Sequence, residues 1–278
     1  MSYKIIADSS CELPKELREN GKFSLIPFGM EINGDHVTDN EDIDIEDFLK
    51  KIAASPTCPK SSCPSPQIFM DSFETDAEHI YVITISAKLS GCYNSAVLAK
   101  TMFEEKNQDK KIFVIDSMSA SCGESQIALL AMDLEEKGMP FEQITAELEE
   151  YRNKLNTFFV LDNIETLRKN GRMSGVKALV ASTLSIKPVL AGEEGSIVQI
   201  GQAIGIKKAL VRMVDHIAKE AKNAKEKRII ITHCNNPERA ECVKKMLLEK
   251  TEFENFIVMS MSGLSSLYAN DGGIIVTF

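Results

Sequence analysis

Five apolar runs in this chain each end on a cluster of Asp, Ser, Thr, His or Asn, and each then passes into a helical pattern. They are Tyr3–Ala7 before Asp8-Ser9-Ser10, Ile80–Ile85 before Ser86, Ile112–Ile115 before Asp116-Ser117, Phe158–Leu161 before Asp162-Asn163, and Ile229–Thr232 before His233. Short β-rich runs alternating with helix-length segments predict βα units on parallel sheets. In such sheets ligands bind outside the carboxyl ends of the strands. Hydroxyls and carboxylates gather at those ends here, so a site built largely from small neutral hydroxyl groups is expected.

A chain of 278 residues exceeds the usual size of one domain, and two are expected, 1–155 and 156–278. The first half carries a small excursion near 28–60, in which Asn33-Gly34 signals a hairpin between Met30–Ile32 and His36–Val37. Asp44 reads as the N-cap of a helix over Ile45–Ala54. The Pro- and Ser-rich stretch from Ser55 to Pro66 reads as a loop. In the second half, Val176–Leu184 reads as a helix, and Gly192-Glu193-Glu194-Gly195 as a hairpin-like turn.

Composition excludes several function classes. The net charge of −9 argues against a nucleic-acid binder, which needs a basic face. MSYKIIADSS lacks a basic region followed by an apolar one, and no apolar stretch reaches the length of a membrane span, so a cytoplasmic protein is expected. Seven scattered cysteines without C-x-x-C read as reduced thiols, neither a disulfide frame nor a zinc site. No G-x-G-x-x-G or Walker A pattern occurs, no histidine pair has metal-ligand spacing, and no cofactor or metal is expected.

Three segments carry candidate chemistry. Ser61-Ser62-Cys63-Pro64-Ser65-Pro66 places hydroxyls on a stiffened loop ahead of a helix. It reads equally as an oxyanion clamp and as a helix start, with Ser65 capping and Pro66 at the first helical position. Ser90-Gly91 stands at a strand-to-helix junction and offers a hydroxyl and backbone N–H groups to an anion. A capping serine is the favoured reading there, and no G-x-S-x-G elbow supports a nucleophile. Arg172, between Gly171 and Gly175, offers either a fork for carboxylate or phosphate or a solvated side chain after a helix C-cap.

Taken in order, these pieces resemble the DegV family of bacterial lipid-binding proteins. Asp8-Ser9-Ser10-Cys11-Glu12-Leu13-Pro14 is similar to its D-S-[ST]-x-[DE]-L-P opening, and Lys60-Ser61-Ser62-Cys63-Pro64-Ser65-Pro66 to its T-S-Q-P-S-P loop. Ser86-Ala87-Lys88-Leu89-Ser90-Gly91 resembles S-S-K-L-S-G, and Ile115-Asp116-Ser117 resembles V-I-D-S. Gly171-Arg172-Met173-Ser174-Gly175 with Ile186-Lys187-Pro188 resembles G-R-I-S-G followed by I-K-P. The match spans nearly the whole chain. Ile204 stands where many members have Arg, and Tyr268 where a late His would lie.

The resemblance implies an α/β fold of two domains, an N-terminal Rossmann-like domain on a parallel sheet and a C-terminal domain on a mixed sheet. It implies a long-chain fatty acid in a buried tunnel between them, and a separate ATP-dependent fatty acid kinase as partner. By motif match, Ser61, Ser62, Ser90 and Gly91 would hold the carboxyl and Arg172 would serve kinase docking. The chain itself would not be an enzyme. The competing expectation is a serine-dependent hydrolase or phosphotransferase using Ser90 or Ser61 with His233 or Asp116.

Overall fold

Three sheets organise the chain in a computed structural model that describes residues 2–107, 109–173 and 185–278. The first half runs β1 (Tyr3–Asp8), α1 (Lys15–Arg18), β2 (Phe23–Ile26), β3 (Gly29–Ile32), β4 (Asp35–Thr38), α2 (Ile45–Ala54), β5 (Lys60–Ser62) and α3 (Pro66–Phe73). It continues through β6 (His79–Thr84), α4 (Cys92–Glu104), β7 (Lys111–Asp116), α5 (Cys122–Glu136) and α6 (Phe141–Lys154). The second half holds β8 (Thr157–Val160), α7 (Glu165–Lys169), β9 (Ile186–Glu193), β10 (Ser196–Ile204) and α8 (Ile206–Glu220). It ends with β11 (Arg228–His233), α9 (Pro237–Lys250), β12 (Asn255–Ser260), α10 (Gly263–Ala269) and β13 (Ile274–Thr277). The helix expected over Val176–Leu184 lies outside the described residues.

The N-terminal sheet has the order β2-β1-β6-β7 and is parallel throughout. Its central strands are apolar without alternation because helices cover both faces, and β6 is buried along its whole length. The C-terminal sheet, β10-β9-β8-β13-β11-β12, is mixed. This corrects the expectation that all five apolar runs serve parallel βα units. β8 is antiparallel to both β9 and β13, and β11 is parallel only to β12. An apolar run specifies a strand buried on both faces, but not the direction of its partners.

Local chemistry explains the other elements. Asp44 caps α2 by accepting the Asp47 N–H at 3.0 Å, and Phe48, Leu49 and Ile52 form its buried face. Asn33 and Gly34 both take positive φ in the β3–β4 hairpin, as a tight turn with the twist of its strands requires. The 55–66 stretch is not wholly loop, since Lys60–Ser62 forms β5 along the second edge of β3. Pro59 and Pro64 flank the strand and keep it short.

One apolar core joins the halves. It includes Ile6, Phe28 and Val82 from the first half and Phe159, Leu190 and Leu264 from the second. No described helix is long and apolar enough to cross a membrane.

Candidate functional site

The loops after β1, β6 and β7 meet above the carboxyl ends of the parallel sheet and lock one another in place. Asp8 accepts the Ile85 N–H at 2.7 Å and the Ser10 N–H at 3.1 Å. Asp116 accepts the N–H groups of Ala87 and Met118 at 3.1 and 2.9 Å. The Ser86 N–H donates to the Ser119 carbonyl at 2.8 Å. Met118 and Ser121 hold positive φ (52° and 57°), a costly conformation for such residues that persists because the surrounding bonds fix it.

The second half closes over these loops. Ser86 donates to the Gly195 carbonyl at the tip of the β9–β10 hairpin (2.7 Å), and Ser119 bonds Thr157 of β8 (2.8 Å). Ser121 bonds Thr232 of β11 at 2.9 Å and donates to Glu12 at 2.8 Å.

Between the halves lies a cavity of about 110 Å³, on a scale where one water needs about 10–15 Å³. Phe28, Leu89, Phe159, Leu161, Ile197 and Ile275 supply much of its apolar wall, and Ser10, Ser61, Ser90, Ser119, Ser121 and Ser265 are among its hydroxyls.

Ser61, Ser90 and Arg172 therefore reach one cavity from three distant segments. The Ser61 hydroxyl bonds the Tyr268 hydroxyl at 2.8 Å. Arg172 donates from Nε to the Leu89 carbonyl at 3.2 Å, and its guanidinium lies 5.9 Å from the centre of the Tyr268 ring. Arg172 is the charged residue among the described lining residues. The other two expected head-group residues stand apart. Ser62 is exposed and turns to the Gly29 carbonyl at 3.4 Å, because neighbours along β5 face opposite sides. Gly91 is exposed and is the N-cap of α4, outside the lining. The Ser90 hydroxyl accepts the Cys92 N–H at 3.2 Å, so its capping reading also has a counterpart here.

Behind the serines lie three carboxyl groups: Asp8 and Glu12 belong to the opening motif, whereas Glu124 belongs to none of the motifs. Glu12 accepts from Ser121 and from the Ser262 N–H (3.2 Å), and burial pushes it up to about 7 against those bonds. Burial also raises Asp8, and it drives Glu124 well above the usual carboxylate range, with the Asp8 charge adding to the effect. Glu124 contacts Ser10 through one oxygen, while its other oxygen is buried with no hydrogen-bond partner among the described residues. Burial and the neighbouring Asp8 charge thus favour the neutral form of Glu124, which limits the charge gathered behind the serines.

Tyr268 and Ser265 belong to α10, a helix that no apolar run announces. Ser10, Ser119 and Ser121 belong to strand-end clusters visible in the sequence, but their shared cavity depends on long-range packing. Among the described residues, no group of His, Cys, Asp and Glu could hold a metal ion. The arrangement suits an amphiphile whose apolar body fills the cavity and whose single polar head meets Ser61, Ser90, Tyr268 and Arg172.

Comparison with known proteins agrees with this architecture. A DegV domain-containing protein of Streptococcus gordonii is 32% identical over 284 residues, covering 100% of this chain and 99% of its own. A DegV family protein of Ruminococcus gnavus, crystallised with vaccenic acid, superposes with a TM-score of 0.97 at 46% identity over 100% of both chains. The Streptococcus pneumoniae Fatty Acid Kinase (Fak) B3 protein, loaded with linoleic acid, gives 0.90 at 31% identity over 100% of this chain and 99% of its own. The family model for DegV matches residues 2–277, and the chain belongs to the DegV family.

Proposed function

We propose that this protein binds a long-chain fatty acid non-covalently between its halves, 1–155 and 156–278, and presents the carboxyl group to a separate ATP-dependent fatty acid kinase. The observation that carries the reading is the convergence of Ser61, Ser90 and Arg172 on one largely apolar cavity. Support comes from relatives of the same fold that were crystallised with vaccenic and linoleic acids.

The energetics fit a passive carrier. Each methylene removed from water contributes about 0.8 kcal/mol, so a long acyl chain supplies roughly 10 kcal/mol before ordering costs. Hydroxyls then need only orient the head group, without the desolvation cost of a fully buried ion pair. Phosphoryl transfer requires phosphate- and metal-holding elements, and the sequence carries no Walker A or comparable glycine-rich motif. The kinase chemistry is therefore assigned to the partner.

Among the described residues, the hydrolase reading finds no base hydrogen-bonded to either serine. Ser61 bonds Tyr268, and the Ser90 hydroxyl accepts from a backbone N–H. His233 accepts the Asn236 N–H at 3.3 Å, is absent from the cavity lining, and is lowered by burial.

Calorimetric titration with oleic acid tests the proposal. Ser61→Ala and Ser90→Ala should each weaken binding by roughly 1–3 kcal/mol, the cost of removing one partner from a buried polar group. Unchanged affinity in both variants would take these hydroxyls out of the site.

A further inference from the structure

The three-stranded sheet β4-β3-β5 grips α10 at both of its ends. At the start of the helix, Asp39, the residue after β4, accepts the N–H groups of Gly263 and Leu264, one on each carboxylate oxygen, both at 2.9 Å. Near the other end, Tyr268 bonds Ser61 of β5. Since β3 pairs with both β4 and β5, one rigid sheet carries both attachment points.

The grip at the helix start is close and not locally replaceable. Asp39 is 4% exposed. A Cβ built on Gly263 would stand 2.5 Å from the Asp39 carboxylate and 2.8 Å from Ile43, so the contact leaves no room for a side chain there. Ser262, at the N-cap position, makes no side-chain capping bond. A helix of seven residues is too short to hold itself, and its first N–H groups need partners. A charged acceptor is the stronger kind. Four residues of α10, Leu264, Ser265, Tyr268 and Ala269, line the cavity. A small rotation of the helix would carry the Tyr268 hydroxyl off Ser61.

We propose that Asp39 is a positioning residue for head-group recognition: by fixing the start of α10 it sets the Tyr268 hydroxyl against Ser61 at the polar end of the cavity. This inference rests on the fatty-acid reading of that cavity. It separates Asp39 from a merely structural tie, because its effect on binding must pass through Tyr268.

A double-mutant cycle in the full chain tests it, with oleic acid as the probe and thermal unfolding of every variant recorded alongside. Asp39→Asn should weaken oleic acid binding roughly tenfold in the wild-type background, and by less than about 2-fold in a Tyr268→Phe background. The same factor in both backgrounds, or no effect in either, would overturn the inference. Should Asp39→Asn not fold, Asp39→Glu, which keeps both oxygens but moves them by one methylene, is read through the same cycle. Wild-type protein that fails to bind oleic acid would overturn the functional reading and this inference together. Binding with independent effects would overturn this inference alone.

Discussion

Placing phenylalanine at Ala120 is expected to weaken oleic acid binding at least roughly 100-fold while the chain still folds. Ala120 lines the cavity between Ser119 and Ser121. Those neighbours are tied across the halves to Thr157 and Thr232, and within the first half to Glu12, so the loop cannot move aside to relieve the crowding. An added ring takes space that the acyl chain needs. At about 0.8 kcal/mol per methylene, displacing only a few methylenes exceeds any loss expected from one head-group hydrogen bond. Overfilling of this kind costs about 1–3 kcal/mol of stability, which a folded domain can bear. Octanoic acid should suffer less than oleic acid, since a shorter chain leaves more of the cavity unused. Equal affinity of Ala120→Phe and wild type for oleic acid, measured by calorimetry, would place the chain elsewhere.

A second large effect is expected in stability against pH. Burial pushes Glu12 up to about 7 and Asp39 up to about 6, from ordinary values of 4.5 and 3.8. A carboxyl whose folded value is raised contributes stability that is full below its unfolded value and is lost as pH rises through the folded one. The folded protein holds these protons more tightly than the unfolded chain, so stability must fall across that window. Each group accounts for about 3 kcal/mol at most. Chemical denaturation of the ligand-free protein should show an unfolding free energy several kcal/mol lower at about pH 8 than at about pH 5. Glu12→Gln should flatten part of that slope, because the amide cannot ionise. A flat or rising profile in the wild type would contradict this account of the buried carboxyls.

What the sequence disclosed follows from the range of each interaction. β1, β6 and β7 were legible because strands of a covered parallel sheet are apolar on both faces. The Asn33-Gly34 turn and the Asp44 cap were legible because their chemistry is local. β8 and β11 were recognised as strands, but the directions of their partners were not, since direction is set by where the chain returns. β5 was hidden by its prolines and its three-residue length, and it pairs only because β3 has a second edge to fill. α10 was hidden because at seven residues its apolar set, Leu264, Leu267 and Tyr268, is too short to establish a helical period, and its first N–H groups are closed by Asp39 from far along the chain. The site divides in the same way. Ser61 and Ser90 could be picked out from hydroxyl-rich motifs, and both reach the cavity. Ser62 looked equivalent to Ser61 until strand alternation turned it outward. The Tyr268–Ser61 bond joins residues at opposite ends of the sequence, and only packing brings them together.

The most direct test is mass spectrometry of the intact protein after incubation with oleic acid, recorded under native and then denaturing conditions. The account predicts a complex heavier by one intact oleic acid in the native spectrum and the bare chain once the fold is lost. A native spectrum without ligand, or an acyl or phosphoryl adduct that survives denaturation on a serine, would contradict it.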